Sequence, residues 1–114
     1  MAMPIDQLQV NSGAAIYYDA AFRRVLETHM GLLRNLASTQ LVAIEPQLAY
    51  KYEYDFYGML QERGVAEHLH WVILRVNDMV DPREFKAEMD RFLVPSAEVV
   101  DAIRKLHMTT ATKL

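Results

Sequence analysis

The chain contains no cysteine. Disulfides, thiolate zinc sites and cysteine nucleophiles are therefore excluded together. Glycine and proline are scarce, four of each in 114 residues, which excludes collagen-like and linker-like sequence. No block of like charge occurs, and 12 Lys and Arg against 15 Asp and Glu leave a net charge of -3. Nucleic acid and anionic membrane surfaces are poor partners for such a chain. Uninterrupted apolar runs reach only a few residues, too short to cross a bilayer. Residues Met1 to Val10 lack the charged and apolar regions of a signal peptide. The expectation is a protein kept inside a cell, or assembled there into something larger.

What the chain does have is a core. Hydrophobic residues are 52% and charged residues 24%, a balance that excludes disorder. Folding at this length buries about two-thirds of the surface, so one domain can form without staples.

Residues 1–18 contain Pro4, Asn11, Ser12 and Gly13 without periodicity and read as an irregular arm. Asp19 is suited to cap a helix over residues 20–36, whose Phe22, Val25, Leu26, Leu32, Leu33 and Leu36 recur at threes and fours. Leu41 to Ile44 is a short apolar run of strand length. Glu45-Pro46 opens a second helix, expected to run to about Leu60 and stop near Gly64. A third is expected over 66–77, with Leu69, Val72, Ile73 and Val76 on its buried face and Asn77-Asp78 at its end. Asp81-Pro82-Arg83-Glu84 has the form of a capping box. Phe92 to Val94 is again strand-like, and Ser96 is placed to cap a last helix carrying Val99, Val100, Ile103 and Leu106. The tail from Met108 is Thr-rich and expected to be loose. Two lone strands must pair, because unpaired backbone groups are costly. The predicted class is α+β, with an N-terminal helical segment (19–37), a central unit (40–96) and a C-terminal helix and tail (97–114).

Chemistry-bearing residues are dispersed. His68 and His70 stand about 200° apart on a helix and cannot share an ion, and His29 and His107 are remote in sequence. No metal or cofactor is expected. No Gly-x-Ser-x-Gly elbow or glycine-rich phosphate loop is present. Glu53 and Asp55, two apart on a helix, point away from one another. The residues name no catalytic group.

The unusual feature is the run Tyr50-Lys51-Tyr52-Glu53-Tyr54-Asp55-Phe56-Tyr57. On a continuous helix Tyr52 and Phe56 join the core arc, while Tyr50, Tyr54 and Tyr57 form a second stripe nearly opposite. Trp71 is similarly opposed to the buried face of the next helix. A helix apolar on both sides is sandwiched between two things. The second covering is either the terminal helices of the same chain or a partner protein. Tyrosine and tryptophan suit the second case, because they bury large area and keep a polar handle. Arg63 and Arg75 would then form a polar rim. The seven methionines read as gap-fillers.

Residues 41–96 resemble a small family: baseplate wedge proteins of contractile-tailed bacteriophages that carry a LysM-like domain. The resemblance rests on the order of Phe56-Tyr57-Gly58, His70-Trp71-Val72 with Asn77-Asp78, Asp81-Pro82 followed by Phe85, and Phe92-Leu93-Val94-Pro95-Ser96. It covers about half the chain. It implies a βααβ core of two short antiparallel strands and two helices, with Gly58, Asn77, Asp81 and Pro82 as its structural motif. It further implies a non-enzymatic virion subunit that joins other baseplate or tail proteins; the surface expected to do so is the aromatic face read above, Tyr50, Tyr54, Tyr57 and Trp71, with Arg75 at its rim. Glycan-binding LysM modules carry a Gly-Asp-Thr-like turn where this chain has Glu45-Pro46-Gln47. A glycan is therefore an unlikely ligand, and peptidoglycan binding stands as the alternative function.

Overall fold

The computed structural model describes the backbone of residues 15–113 and side chains through residue 108. Most of the irregular arm falls outside the described residues; its end forms a 3₁₀ turn, Ile16–Tyr18. The protein is α+β, with six α-helices and one two-stranded antiparallel sheet among the described residues.

Helix α1 is Ala20–Thr28 and α2 is Met30–Asn35. Asp19 caps α1 as expected, accepting from the Phe22 N–H at 3.1 Å. The single helix expected over 20–36 is interrupted at His29. There the Thr28 hydroxyl and the His29 ring N–H both reach back to the Val25 carbonyl, and side chains that compete for a backbone acceptor in this way bend helices. Phe22, Leu26, Met30 and Leu33 are buried, whereas Leu32, predicted for the same stripe, is exposed.

Strand β1 is Gln40–Ala43 and β2 is Arg91–Val94, paired in the register Gln40↔Val94, Leu41↔Leu93, Val42↔Phe92 and Ala43↔Arg91. Three α-helices lie between them rather than two: α3 (Pro46–Lys51), α4 (Phe56–Glu62) and α5 (His70–Val76). Short 3₁₀ turns precede α5 at Glu67–Leu69 and follow it at Pro82–Glu84. The final helix α6 is Ala97–Lys113, with the Ser96 carbonyl accepting from the Val100 N–H. The tail expected to be loose from Met108 continues in helix as far as Lys113.

The core is double. Ile44, Ala49, Phe56, Met59, Leu60, Ile73, Leu74, Met79, Phe85 and Phe92 form one cluster. Tyr17, Phe22, Leu26, Met30, Leu33, Val72, Val76, Val100 and Ile103 form the other. Helix α5 contributes to both, sending Ile73 and Leu74 one way and Val72 and Val76 the other. Strand β2 does the same at its period of two, with Phe92 in the first core and Leu93 against the second. Both apolar faces of α5 are thus covered from within the chain. That settles, for this helix, which of the two predicted coverings applies.

Polar clamps fix α5 in place. Arg34 donates from Nε to the Val76 carbonyl at 3.0 Å and from Nη2 to the Arg75 carbonyl at 2.9 Å, holding the helix C-terminus where a cation is favoured. Asn77, at the end of α5, donates to the Ile73 and Leu93 carbonyls at 2.7 and 2.9 Å. Its Oδ1 accepts from the Leu93 N–H at 2.7 Å. The amide thus occupies both backbone groups of Leu93 as a neighbouring strand would. The capping box at Asp81 and Glu84 is present as the sequence predicts, and the Arg83 guanidinium and N–H hold the Asp81 pKa down at about 2.

Two outcomes follow. Asn77→Ala leaves the half-buried Leu93 backbone without partners and should cost about 1–3 kcal/mol in urea unfolding. Asn77→Asp, which keeps the acceptor but loses the donor, should not restore it. For Asp81 the folded pKa lies below the unfolded one, so its contribution is complete above pH 3.8 and lost as pH falls toward 2. An NMR titration of the Asp81 carboxyl should have its midpoint near 2.

Candidate docking surface

The tyrosine run does not form the continuous helix expected over 46–60. Helix α3 ends at Lys51, residues 52–54 turn, and Asp55 starts α4 by accepting from the Gly58 N–H at 3.0 Å. The turn is held by a segment thirty residues away. The Tyr54 N–H donates to the Phe85 carbonyl at 2.7 Å, and the Glu53 carboxylate accepts from the Ala87 N–H at 3.1 Å. Gly58 leaves room for this cap, because a Cβ there would displace the Asp55 carboxylate and stand 2.8 Å from Tyr52 Cδ1. An Asp immediately before an apolar-periodic run, here Phe56, Met59 and Leu60, is an N-cap signal, and Asp55 could have been read that way.

The predicted stripe of Tyr50, Tyr54 and Tyr57 is consequently divided. Tyr50 is 74% exposed and Tyr54 59%. Tyr54 adopts φ +68, a left-handed conformation that bulky residues rarely hold. Tyr57 is half-buried, its ring 5.5 Å from that of His70, and burial pushes its hydroxyl pKa up. Trp71 is half-buried against the second core. The Arg23 guanidinium covers it at 4.8 Å and lies 5.5 Å from the Tyr18 ring. Arg75 is turned into the chain. It bonds both Glu27 carboxylate oxygens, one at 3.2 Å, and the Met79 carbonyl at 2.7 Å. That pairing holds the Glu27 pKa below the usual carboxylate range.

Tyr57, Gly58 and Trp71 line a cleft of about 390 Å³ together with Arg23, Asp55 and His70. Arg23 is the member that sequence reasoning missed. It lies off the apolar stripe of α1, and nothing local shows that it reaches a tryptophan 48 positions on. Its Nε donates to the Tyr17 carbonyl at 2.8 Å, which aims the rest of the guanidinium across the indole. His70 is buried and donates from Nε2 to the Val65 carbonyl at 2.9 Å. His68 packs on Tyr17 at 4.8 Å, and burial lowers its pKa. Among the described residues, no three His, Asp or Glu side chains gather where they could hold a metal ion. Two exposed rings, Tyr50 on α3 and Tyr54 on the turn after it, thus stand apart from a cleft in which Arg23 roofs Trp71.

Trp71 is the chain's single tryptophan, so its fluorescence reports the roof directly. Arg23→Ala should shift the emission to the red and raise acrylamide quenching, with a stability loss of about 0.5–1 kcal/mol. No protein-family model, curated protein or solved structure matches this chain.

Proposed function

We propose that this protein is a non-catalytic docking subunit with a LysM-like βααβ core, acting in the baseplate of a contractile phage tail and retained in the virion. The reading of the core is supported by two strands closing around helices. It is supported further by Asn77 bonding β2 and by the Asp81-Pro82 capping turn, at the positions the family resemblance marks. The helix between the strands is split, so α3 and α4 together stand for the first of the two family helices.

The single observation that carries docking is Tyr54. Its backbone is held in a left-handed conformation by the Phe85 carbonyl while its ring, with that of Tyr50, faces outward. Left-handed backbone costs a non-glycine residue roughly 1–2 kcal/mol. Within the chain that cost leaves Tyr54 59% exposed; a partner surface that covers both rings supplies the missing gain. Exposed tyrosines are favoured at such centres because they bring area with little side-chain entropy to lose. No described helix is long and apolar enough to cross a membrane.

Tyr54→Gly removes the strain and the ring together. Alone, this variant should unfold at the same or slightly higher urea concentration than the parent, by up to about 1 kcal/mol. Co-expressed with the products of the genes flanking its own, the parent should co-elute in a complex from which Tyr54→Gly combined with Tyr50→Ser is lost. Full co-elution of the double variant removes the tyrosines from the interface. Retention of the parent on insoluble peptidoglycan, with no flanking product bound, replaces this reading by the glycan-binding one.

A further inference from the structure

The two outer edges of the sheet are treated differently. At β2 the Leu93 N–H and C=O point away from β1, and the Asn77 amide bonds both. Leu41 stands opposite Leu93. In an antiparallel ladder, residues whose groups point outward face one another, so the Leu41 N–H and C=O also point outward, on the far side. The bond from the Ile44 N–H to the Asp90 carbonyl at 2.8 Å gives the same phase, because it places the Ile44, Val42 and Gln40 groups inward and those of Leu41 and Ala43 outward. On this second edge the only described partner is Arg63, whose Nη1 reaches the Ala43 carbonyl at 3.2 Å.

Exposed strand edges are ordinarily protected by charge, proline, a bulge or a covering element. Residues 36–44 contain no charged residue, no proline and no glycine, and the Leu41 side chain is 56% exposed. We propose that the outer edge of β1 is a self-pairing interface, at which β1 of a second copy of this chain adds antiparallel about a two-fold axis at Val42 and its Leu41 N–H takes the Ala43 carbonyl in place of the exposed Arg63 guanidinium.

Three features favour a second copy over an unlike strand. The outward groups are self-complementary: the axis at Val42 sets Leu41 opposite Ala43 of the other copy twice, and each such pair exchanges two hydrogen bonds. The side chains fit in size, since the large Leu41 meets the small Ala43 on the same face. The strand itself carries no charge to select an unlike partner, and the one cation on this edge, the exposed Arg63, is free to swing into solvent when two copies meet. The product is a four-stranded sheet in place of a marginal pair. So short a contact falls below the roughly 800 Å² a side of a stable interface, so association is weak and depends on concentration.

Sedimentation of the full chain should show a monomer–dimer equilibrium with a Kd between about 10 μM and 1 mM. Leu41→Pro deletes the outward N–H and leaves every β1–β2 bond in place. It should weaken the dimer at least tenfold while the far-ultraviolet circular dichroism is unchanged. If that variant fails to fold, two exposed substitutions decide the matter. In a chain free of native cysteine, a mixture of Leu41→Cys and Ala43→Cys proteins under oxidised glutathione should form a covalent heterodimer. Each protein alone should stay largely uncrosslinked, because facing residues of such a pair sit about 5.5 Å apart, within disulfide reach. A wild-type chain that remains monomeric at about 1 mM overturns the proposal. So does crosslinking that is no faster in the mixture than in either protein alone.

Discussion

Helix α5 is buried on both faces, and everything else is arranged around that constraint. Seven residues, His70 to Val76, contribute Ile73 and Leu74 to one core and Val72 and Val76 to the other. A helix with two apolar faces must be enclosed on both, and here elements before, between and after the strands supply the enclosure. The elements between the strands cover one side. Helices α1, α2 and α6 cover the other. The clamps on α5 come from both sides too: Arg34 and Glu27 from the N-terminal helices, and the bond between Asn77 and β2 from the sheet. The terminal helices are therefore part of the fold, not appendages to a central unit.

The outward presentation of Tyr50 and Tyr54 depends on the same economy. With α5 satisfied internally, Trp71 and Tyr57 are drawn into the cleft beside it and Arg75 is bound to Glu27. Of the aromatic residues expected to meet a partner, Tyr50 on α3 and Tyr54 on the turn after it are left facing solvent. The turn that carries Tyr54 is tied down by its N–H on the Phe85 carbonyl and by the Glu53 carboxylate on the Ala87 N–H. A rigid aromatic projection loses little entropy when it is covered, which makes it a better docking element than a mobile one.

What could be read from the sequence was local. The Asp19 cap and the Asp81 capping box depend on residues within three positions, and both appear where expected. Pairing of the strands followed from there being two of them. The two-sided character of α5 was visible in its residues, while the identity of each covering surface was not, because periodicity says which faces are apolar and not what meets them. The helix over 46–60 was misread for a related reason. Its break at residues 52–54 is held by partners thirty residues away, and a wheel drawn through that turn merged three tyrosines that the fold separates. Asn77 was legible as a helix end. Its bonding to both groups of Leu93 is tertiary and had no signature.

Native-state hydrogen exchange tests the shared helix most directly. If α5 ties both cores into one cooperative unit, the slowest amides of α1 (Leu26), α4 (Leu60) and α5 (Val76) open with the same free energy, equal to that of global unfolding, and with the same dependence on denaturant. Exchange of the α1 and α6 amides at markedly lower free energy, with α4 and α5 still protected, would show a central unit that stands without the terminal helices and would contradict this account.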